Sequence, residues 1–234
     1  MKLPPIGSGK PKDEYLSFVK GVNKMINRGG TVNFKDFSKK LSLLSDTFEK
    51  QNSKDYFTIV FQGFAERLVG MKQTSLAGIV YSFLIKHNQG KPEISEKIAQ
   101  NALALAKKTN DPIHIMARTH DLRKIYQNME YGSAKHLKML RDERKALKTI
   151  VEHYEHSSKN FKTLTREVKP KEVYEEMLAS VQVKIAKLIQ KDSPKDAIQS
   201  FENARSIYLS LGNNSEVDFV AKEIENLTKL LQSK

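Results

Sequence analysis

The sequence predicts an all-α protein of about ten helices that pair as antiparallel hairpins. Apolar residues recur at intervals of three and four along almost all of the 234-residue chain. The segments between these stretches are short and contain residues that stop and start helices. Alternating apolar runs bounded by Asn-Gly or Asp-Gly turns, which would indicate strands, do not occur. Helices joined by such short turns lie antiparallel to their neighbours.

The first four helices are rich in aromatic residues. Gly29 and Gly30 end the first helix, and Asn33 caps the second. Ser53 caps the third, and the fourth runs to Gly90. Their apolar positions are Tyr15, Phe18, Val22, Met25 and Ile26; Phe34, Phe37, Leu41, Leu44 and Phe48; Tyr56, Ile59, Val60, Phe64 and Leu68; and Leu76, Ile79, Val80, Phe83 and Leu84. The aromatic side chains predict a thick core in this half.

The next three helices begin at proline or after serine. Pro92 opens the fifth, and its alanine-rich run over 98–106 permits close approach of a neighbouring helix. Asp111 and Pro112 start the sixth, and Ser133 precedes a long seventh. The apolar positions of the last two are Ile113, Met116, Ala117, Ile125, Tyr126 and Met129, then Leu137, Leu140, Leu147, Ile150, Val151 and Tyr154.

A polar stretch from Ser157 to Pro170 precedes the last three helices and predicts a boundary. The eighth helix covers Val173 to Ile189. Ser193 caps the ninth, which ends at Gly212, and the tenth follows. The predicted organisation is a flexible tail over 1–10, a helical domain over 11–160, a linker over 161–170 and a C-terminal hairpin with a final helix over 171–234.

The ninth helix resembles the second helix of a tetratricopeptide repeat. Its pattern is Ala197, Phe201, Ala204, Ile207 and Tyr208, followed by Leu211, Gly212 and Asn213. Ile185, Ala186 and Ile189 occupy the matching positions of the preceding first helix. Weaker traces are Leu122, Arg123, Tyr126 and Ala134, where Arg123 replaces a small residue, and Ser95, Ala99 and Ala102. The resemblance covers the last 140 residues or so, but no regular 34-residue array follows from it.

The resemblance implies hairpins stacked as a tetratricopeptide-like α-solenoid, and an irregular helical bundle is the alternative. In such a stack the first helices line a groove. The groove-facing positions it implies are His120, Lys124, Gln127 and Asn128 in one hairpin, and Ser180, Lys187, Gln190 and Lys191 in the other. Their polar and basic character suits an acidic peptide or a carboxylate-bearing ligand.

The chain is basic, with a formal net charge of +13. Residues 1–170 carry 31 basic and 17 acidic side chains, and the last 64 residues carry 9 and 10. On the seventh helix Lys138, Arg141, Lys145 and Lys148 form a stripe that could follow a phosphate backbone. Asp142 and Glu143 interrupt it, as on many solvated faces. Lysines outnumber arginines 32 to 8, which favours a solvated surface over nucleic-acid recognition.

The sequence gives little support for a catalytic site or a metal site. The absence of cysteine excludes disulfides, thiol nucleophiles and cysteine zinc sites, and suits the cytoplasm. His120 has no nucleophile or second carboxylate in its motif, and His153 and His156 lack the spacing of known metal motifs. No apolar run is long enough for a signal peptide or a membrane span.

We therefore predict a non-catalytic interaction module or scaffold without metal or cofactor. It binds a protein or a peptide, and the alternative is a nucleic-acid-associated protein that uses its basic surface.

Overall fold

A computed structural model describes residues 10–27, 33–50, 53–156 and 169–232. Within these ranges the chain forms ten long helices and no strand, which confirms the predicted all-α fold. The helices are α1 (Lys10–Asn27), α2 (Phe34–Lys50), α3 (Lys54–Gly70), α4 (Thr74–His87), α5 (Pro92–Thr109), α6 (Pro112–Met129), α7 (Ala134–Glu152), α8 (Lys171–Ile189), α9 (Pro194–Ser210) and α10 (Asn214–Gln232). None of the helices in the described ranges is long and apolar enough to cross a membrane.

Three of the helix starts are capped by side chains that accept backbone hydrogen bonds. Asp111 accepts from the amides of Ile113 and His114 at 2.9 and 3.1 Å, and Pro112 follows it as the first residue of α6. Ser133 accepts from the amide of His136 at 3.2 Å. Asn33 caps α2 in the same way, as predicted. These bonds satisfy amides that have no partner inside the helix.

The predicted side-chain caps at Ser53 and Ser193 are wrong. Both residues precede their helices, but neither hydroxyl makes a capping hydrogen bond. Their backbones have ψ values of 28° and 68°, whereas the extended conformation of a capping serine is seen at Ser133, where ψ is 161°. The hydroxyls are therefore not directed at the free amides of the first turn.

Gly212 ends α9, as predicted. Its φ of 70° lies in the left-handed region, which glycine enters at little cost. The amide of Asn213 then bonds the carbonyl of Tyr208 at 2.9 Å, and the amide of Gly212 bonds that of Leu209 at 3.1 Å. This closure satisfies the last carbonyls of the helix and sends the chain into α10 within three residues.

The residues up to Leu105 and those from Ala106 onward form two compact units. The division falls inside the predicted 11–160 domain. The predicted linker lies outside the described residues except for 169–170, and so does the predicted tail except for Lys10, which begins α1. The glycines predicted to end α1 also lie outside them.

The N-terminal unit is organised around an aromatic core from α1 to α4 and the first part of α5. Phe57 and Phe61 stack with ring centroids 4.3 Å apart, and Tyr15 packs edge-on against Phe61 at 5.3 Å. Phe48 and Phe64 join them with almost no exposed surface. Edge-on and offset contacts of this kind add to the free energy gained from burying the rings.

The C-terminal unit contains two apolar clusters that share α8. The first joins α6, α7 and α8, and its buried members include Leu140, Leu147 and Ile185. The second joins α8, α9 and α10, and includes Phe201 and Val220. Each helix from α6 to α10 packs against the next one along the chain. This arrangement is compatible with a helical repeat.

Candidate functional site

A buried ion pair lies between α6 and α7 of the C-terminal unit. The Nε of Arg123 donates to Oε2 of Glu143 at 2.7 Å, and the two side chains are only 5% and 1% exposed. Arg123 also donates from Nη1 to Oε1 of Gln127 at 2.9 Å. A buried charge is tolerated only when it is paired and its hydrogen bonds are made, and both conditions hold here.

His120 completes this cluster. Its Nδ1 lies 2.7 Å from Oε1 of Glu143. A carboxylate oxygen only accepts, so Nδ1 must carry the hydrogen. The Nη2 of Arg123, which is 3.2 Å from the same nitrogen, then cannot donate to it. Each oxygen of Glu143 thus accepts from a protein donor, which holds the cluster in a fixed arrangement.

The interpretation of Glu143 as part of a solvated face is wrong. Glu143 lies on the apolar side of α7, in register with His136, Leu140, Leu147 and Ile150 at alternating intervals of four and three. This spacing can be seen in the sequence and indicates that Glu143 is buried. A carboxylate in an apolar stripe indicates a buried cationic partner, which here is Arg123. The sequence near His120 offers no second carboxylate, and in the structure Glu143 of α7 supplies one.

Lys184 on α8 adds a third cation to this region and was not predicted as a site residue. Burial lowers the pKa of its ammonium group, Arg123 and Lys124 lower it further, and Glu143 acts in the opposite direction. Lys184 nevertheless keeps an exposed surface. Lys184 is therefore within reach of the charges of Arg123 and Lys124 on α6.

The predicted groove positions on α6 are accessible. His120 is 30% exposed, and Lys124, Gln127 and Asn128 are exposed. On α8, Lys187 and Lys191 are exposed, and Ser180 and Gln190 are half-buried.

Two lysines of α8 interact with different helices. Lys187 points to α10, where its Nζ lies 4.5 Å from the centroid of the Phe219 ring and 4.0 Å from Oε1 of Glu223. Lys184 interacts with α6. We refer to the residues His120, Lys124, Lys184 and Lys187 as the α6–α8 surface.

The predicted basic stripe occupies another part of the unit. Lys138, Arg141, Lys145 and Lys148 are all exposed along α7. The Nζ of Lys148 lies 3.6 Å from Oε1 of Glu152, one helical turn later. The other three side chains have no ion-pair partner among the described residues. The stripe therefore presents unpaired positive charge on α7 at Lys138, Arg141 and Lys145.

The two histidines at the end of α7 are not joined by further metal ligands. His153 and His156 are exposed. Across the described ranges, no three histidine, aspartate or glutamate side chains come close enough together to hold a metal ion.

Comparison with known proteins adds a distant structural likeness. No protein-family profile and no curated protein matches the chain. Among solved structures, the chain is similar to the crystal structure of BtubC (BKLC) from P. vanneervenii, with 10% sequence identity over 97% of this chain and 94% of that chain. The TM-score is 0.33. A likeness at this level of identity and superposition says nothing about function.

Proposed function

We propose that the C-terminal unit is a non-catalytic, tetratricopeptide-like interaction module that binds an acidic peptide or protein segment on the α6–α8 surface. The single observation that carries the proposal is the position of Lys184. Burial lowers the pKa of its ammonium group, the charges of Arg123 and Lys124 lower it further, and Glu143 acts in the opposite direction. An anionic ligand would relieve this repulsion between cations.

The packing of the last three helices supports the repeat-like part of the proposal. Ala186 of α8 and Ala204 of α9 are fully buried in one cluster with Phe201. Small residues at such positions permit two helices to approach closely while an aromatic side chain fills the space beside them. These are the residues on which the resemblance to the tetratricopeptide family rests.

The buried cluster gives the surface a fixed geometry. Arg123 is held by Glu143 and Gln127, and Glu143 also fixes the ring of His120. A cationic surface held in place before binding loses less conformational entropy when a ligand arrives. Exposed Lys124 and Lys184 then supply attraction, and the positions of His120 and Gln127 supply selectivity.

The experiment is selection of peptides from a displayed random library, followed by titration of the selected peptides. We expect sequences enriched in Asp and Glu. Lys124→Gln with Lys184→Gln should weaken binding at least about tenfold, because both lysines lie on the proposed surface. Lys138→Gln with Lys148→Gln changes the net charge equally on α7 and should have little effect.

A scrambled version of the best peptide tests whether binding depends on the order of the peptide's side chains as well as on its charge. The scrambled peptide should bind more weakly, since contacts in a shaped surface depend on the order of side chains. Equal binding by both peptides, or equal losses in the two double variants, would exclude specific recognition on this surface.

A nucleic-acid-associated function is the second candidate. It is favoured by one observation, the three exposed and unpaired cations Lys138, Arg141 and Lys145 on the described part of α7. Its test depends on salt and is given in the Discussion.

A further inference from the structure

The N-terminal unit contains a cleft between its first two helices. The cleft has a volume of about 410 Å³, and its lining comes from α1 and α2, with Asn33 at the start of α2. Clefts of roughly 300–1,000 Å³ are typical of small-molecule sites. The residues of this cleft belong neither to the α6–α8 surface nor to the stripe on α7.

Each of the two helices directs one face into the cleft. On α1 the lining positions are 14, 17, 18, 21 and 22, and on α2 they are 36, 37, 40, 43 and 44. Positions three and four apart lie on the same side of a helix. The cleft is therefore a groove that follows both helices for about two turns.

The floor of the cleft is apolar and anchored in the aromatic core. Val22, Phe37 and Leu44 line it and are almost fully buried. Phe18 is half-buried, and its ring centroid lies 5.4 Å from that of Phe37 and 6.0 Å from that of Phe61 on α3. These ring contacts hold the floor in place before any ligand binds.

The space above the floor is open and partly lined by exposed apolar surface. Leu43 faces the cleft although it is 57% exposed. An apolar group bound there would remove part of this surface from water. Gly21 lines the cleft from α1, and a Cβ added to it would meet no atom within 4 Å.

The described residues that line the cleft carry more negative than positive charge. Glu14 of α1 and Asp36 of α2 are carboxylates, and Lys40 is the cation among them. None of the three forms an ion pair with another described residue. Lys40 follows Asp36 by one helical turn and offsets a single charge. Glu14 is half-buried on the opposite helix, so its carboxylate is the charge most available to a ligand.

The aromatic floor favours a ligand of the same charge as the carboxylates do. The face of a phenylalanine ring is negative and attracts a cation. An ammonium group also donates charge-assisted hydrogen bonds to a carboxylate. An anion would be repelled by Glu14 and by the faces of the rings.

We propose that this cleft binds a small organic ammonium ion with an apolar body. The ammonium group pairs with Glu14, and the apolar body covers Phe18, Leu43 and Leu44. An inorganic cation makes only the first of these contacts, and a neutral apolar molecule makes only the second. A ligand with both groups therefore fits the cleft best.

The test is calorimetric titration of the full chain with phenethylammonium chloride and, separately, with phenethyl alcohol, its neutral analogue. We expect saturable binding of phenethylammonium and an affinity at least about tenfold lower for the alcohol, which lacks the charged hydrogen bond. Glu14→Gln should reduce the affinity for phenethylammonium by a similar factor. Asp13→Asn removes the same charge from an exposed position of α1 outside the cleft and should change the affinity less than about twofold.

Gly21→Leu tests the location of the site without removing a charge. The new side chain should fill the cleft and abolish binding, and the variant should stay folded because leucine forms helices better than glycine. Gly63→Leu is the matched control, since Gly63 lies inside α3, outside the cleft, and a Cβ added there also meets no atom within 4 Å. It should bind phenethylammonium like the unchanged chain.

Amide chemical shifts provide a second measurement that does not depend on the variants. Phenethylammonium should shift the amide signals of Phe18 and Leu44 and leave those of Lys124 and Lys184 in place. Absence of saturable binding, equal affinity for phenethyl alcohol, or undiminished binding by Gly21→Leu would each overturn the proposal. The peptide titrations depend on lysines of the C-terminal unit, so either proposal can fail without the other.

Discussion

Arg123 and Glu143 have lost nearly all contact with water, and this determines what each contributes. Removing two charges from water costs several kcal/mol per ion, and their attraction compensates only when the geometry is good. The 2.7 Å contact between Nε and Oε2 meets that condition, and His120 and Gln127 add further hydrogen bonds. The pair is therefore stable as a unit, but each member is costly without the other.

Glu143→Gln should lower the free energy of unfolding by about 3–5 kcal/mol, because it leaves the Arg123 charge buried without a partner. Arg123→Met with Glu143→Leu removes both charges and should recover most of the loss, since apolar side chains of similar size can fill the space. Denaturant unfolding of Arg123→Met, of Glu143→Leu and of the variant that combines them measures this coupling. Losses that simply add would contradict the description of the pair as one unit.

His136 should make the protein sensitive to mild acid. It is 3% exposed, burial lowers the pKa of its imidazole, and Arg123 lowers it further. Its Nδ1 accepts a hydrogen bond from the amide of Gly132 at 3.2 Å, which only the neutral ring can do. The unfolded chain takes up this proton more readily, so the stabilisation is complete above the unfolded pKa of about 6.5 and is lost as the pH falls below it.

Thermal unfolding at a series of pH values measures this effect. His136→Gln should show a shallower loss of stability between neutral pH and mild acid than the unchanged chain. His153→Gln removes an exposed histidine and serves as the control. An identical pH dependence in the unchanged chain and in His136→Gln would show that His136 does not contribute.

At the scale of the helices, the intervals of three and four predicted the ten long helices of the described part of the chain. The reason is physical, because an amphipathic helix must bury one face and the buried positions recur with the helical period. Caps were less predictable. Ser53 and Ser193 have the residue type of a cap, but capping depends on a backbone conformation that the residue type does not determine.

The packing of α8 against α9 is tested by Ala204→Leu. Ala204 is fully buried beside Ala186 and Phe201, so the larger side chain should overpack the contact and lower the free energy of unfolding by about 1–3 kcal/mol. Lys195→Ala changes an exposed position of the same helix and should have a much smaller effect. Equal stability of these variants would mean that Ala204 is not at a close contact.

For the whole molecule, composition was informative about charge but not about its arrangement. A net charge of +13 could not distinguish lysines on the α6–α8 surface from those on α7. The stripe was recognisable because it lies on one helix. The contribution of Lys184 was not recognisable from the sequence. It depends on charges of α6, a different helix, and no pattern within α8 indicates them.

The nucleic-acid alternative is tested by the dependence of binding on salt. We expect only weak binding to duplex and single strands, with no sequence preference and a steep fall toward physiological salt, because each neutralised phosphate releases a counterion. Arg141→Glu with Lys145→Glu should reduce both the affinity and the salt slope. Lys124→Glu with Lys184→Glu changes the charge equally and is the control.

Sub-micromolar binding at physiological salt that disappears when Arg141 and Lys145 are reversed would instead establish a nucleic-acid function. Fluorescence anisotropy with labelled oligonucleotides measures both quantities.

Because α8 belongs to both apolar clusters of its unit, the unit should not open uniformly. Tyr174 and Val181 pack into one cluster, and Ala179 and Ala186 into the other, so exposing α8 to water requires both clusters to separate. The helix α10 belongs to only one of them. Its backbone amides should exchange with deuterium before those of α8. The slowest protons would then lie in the helix that carries Lys184 of the α6–α8 surface.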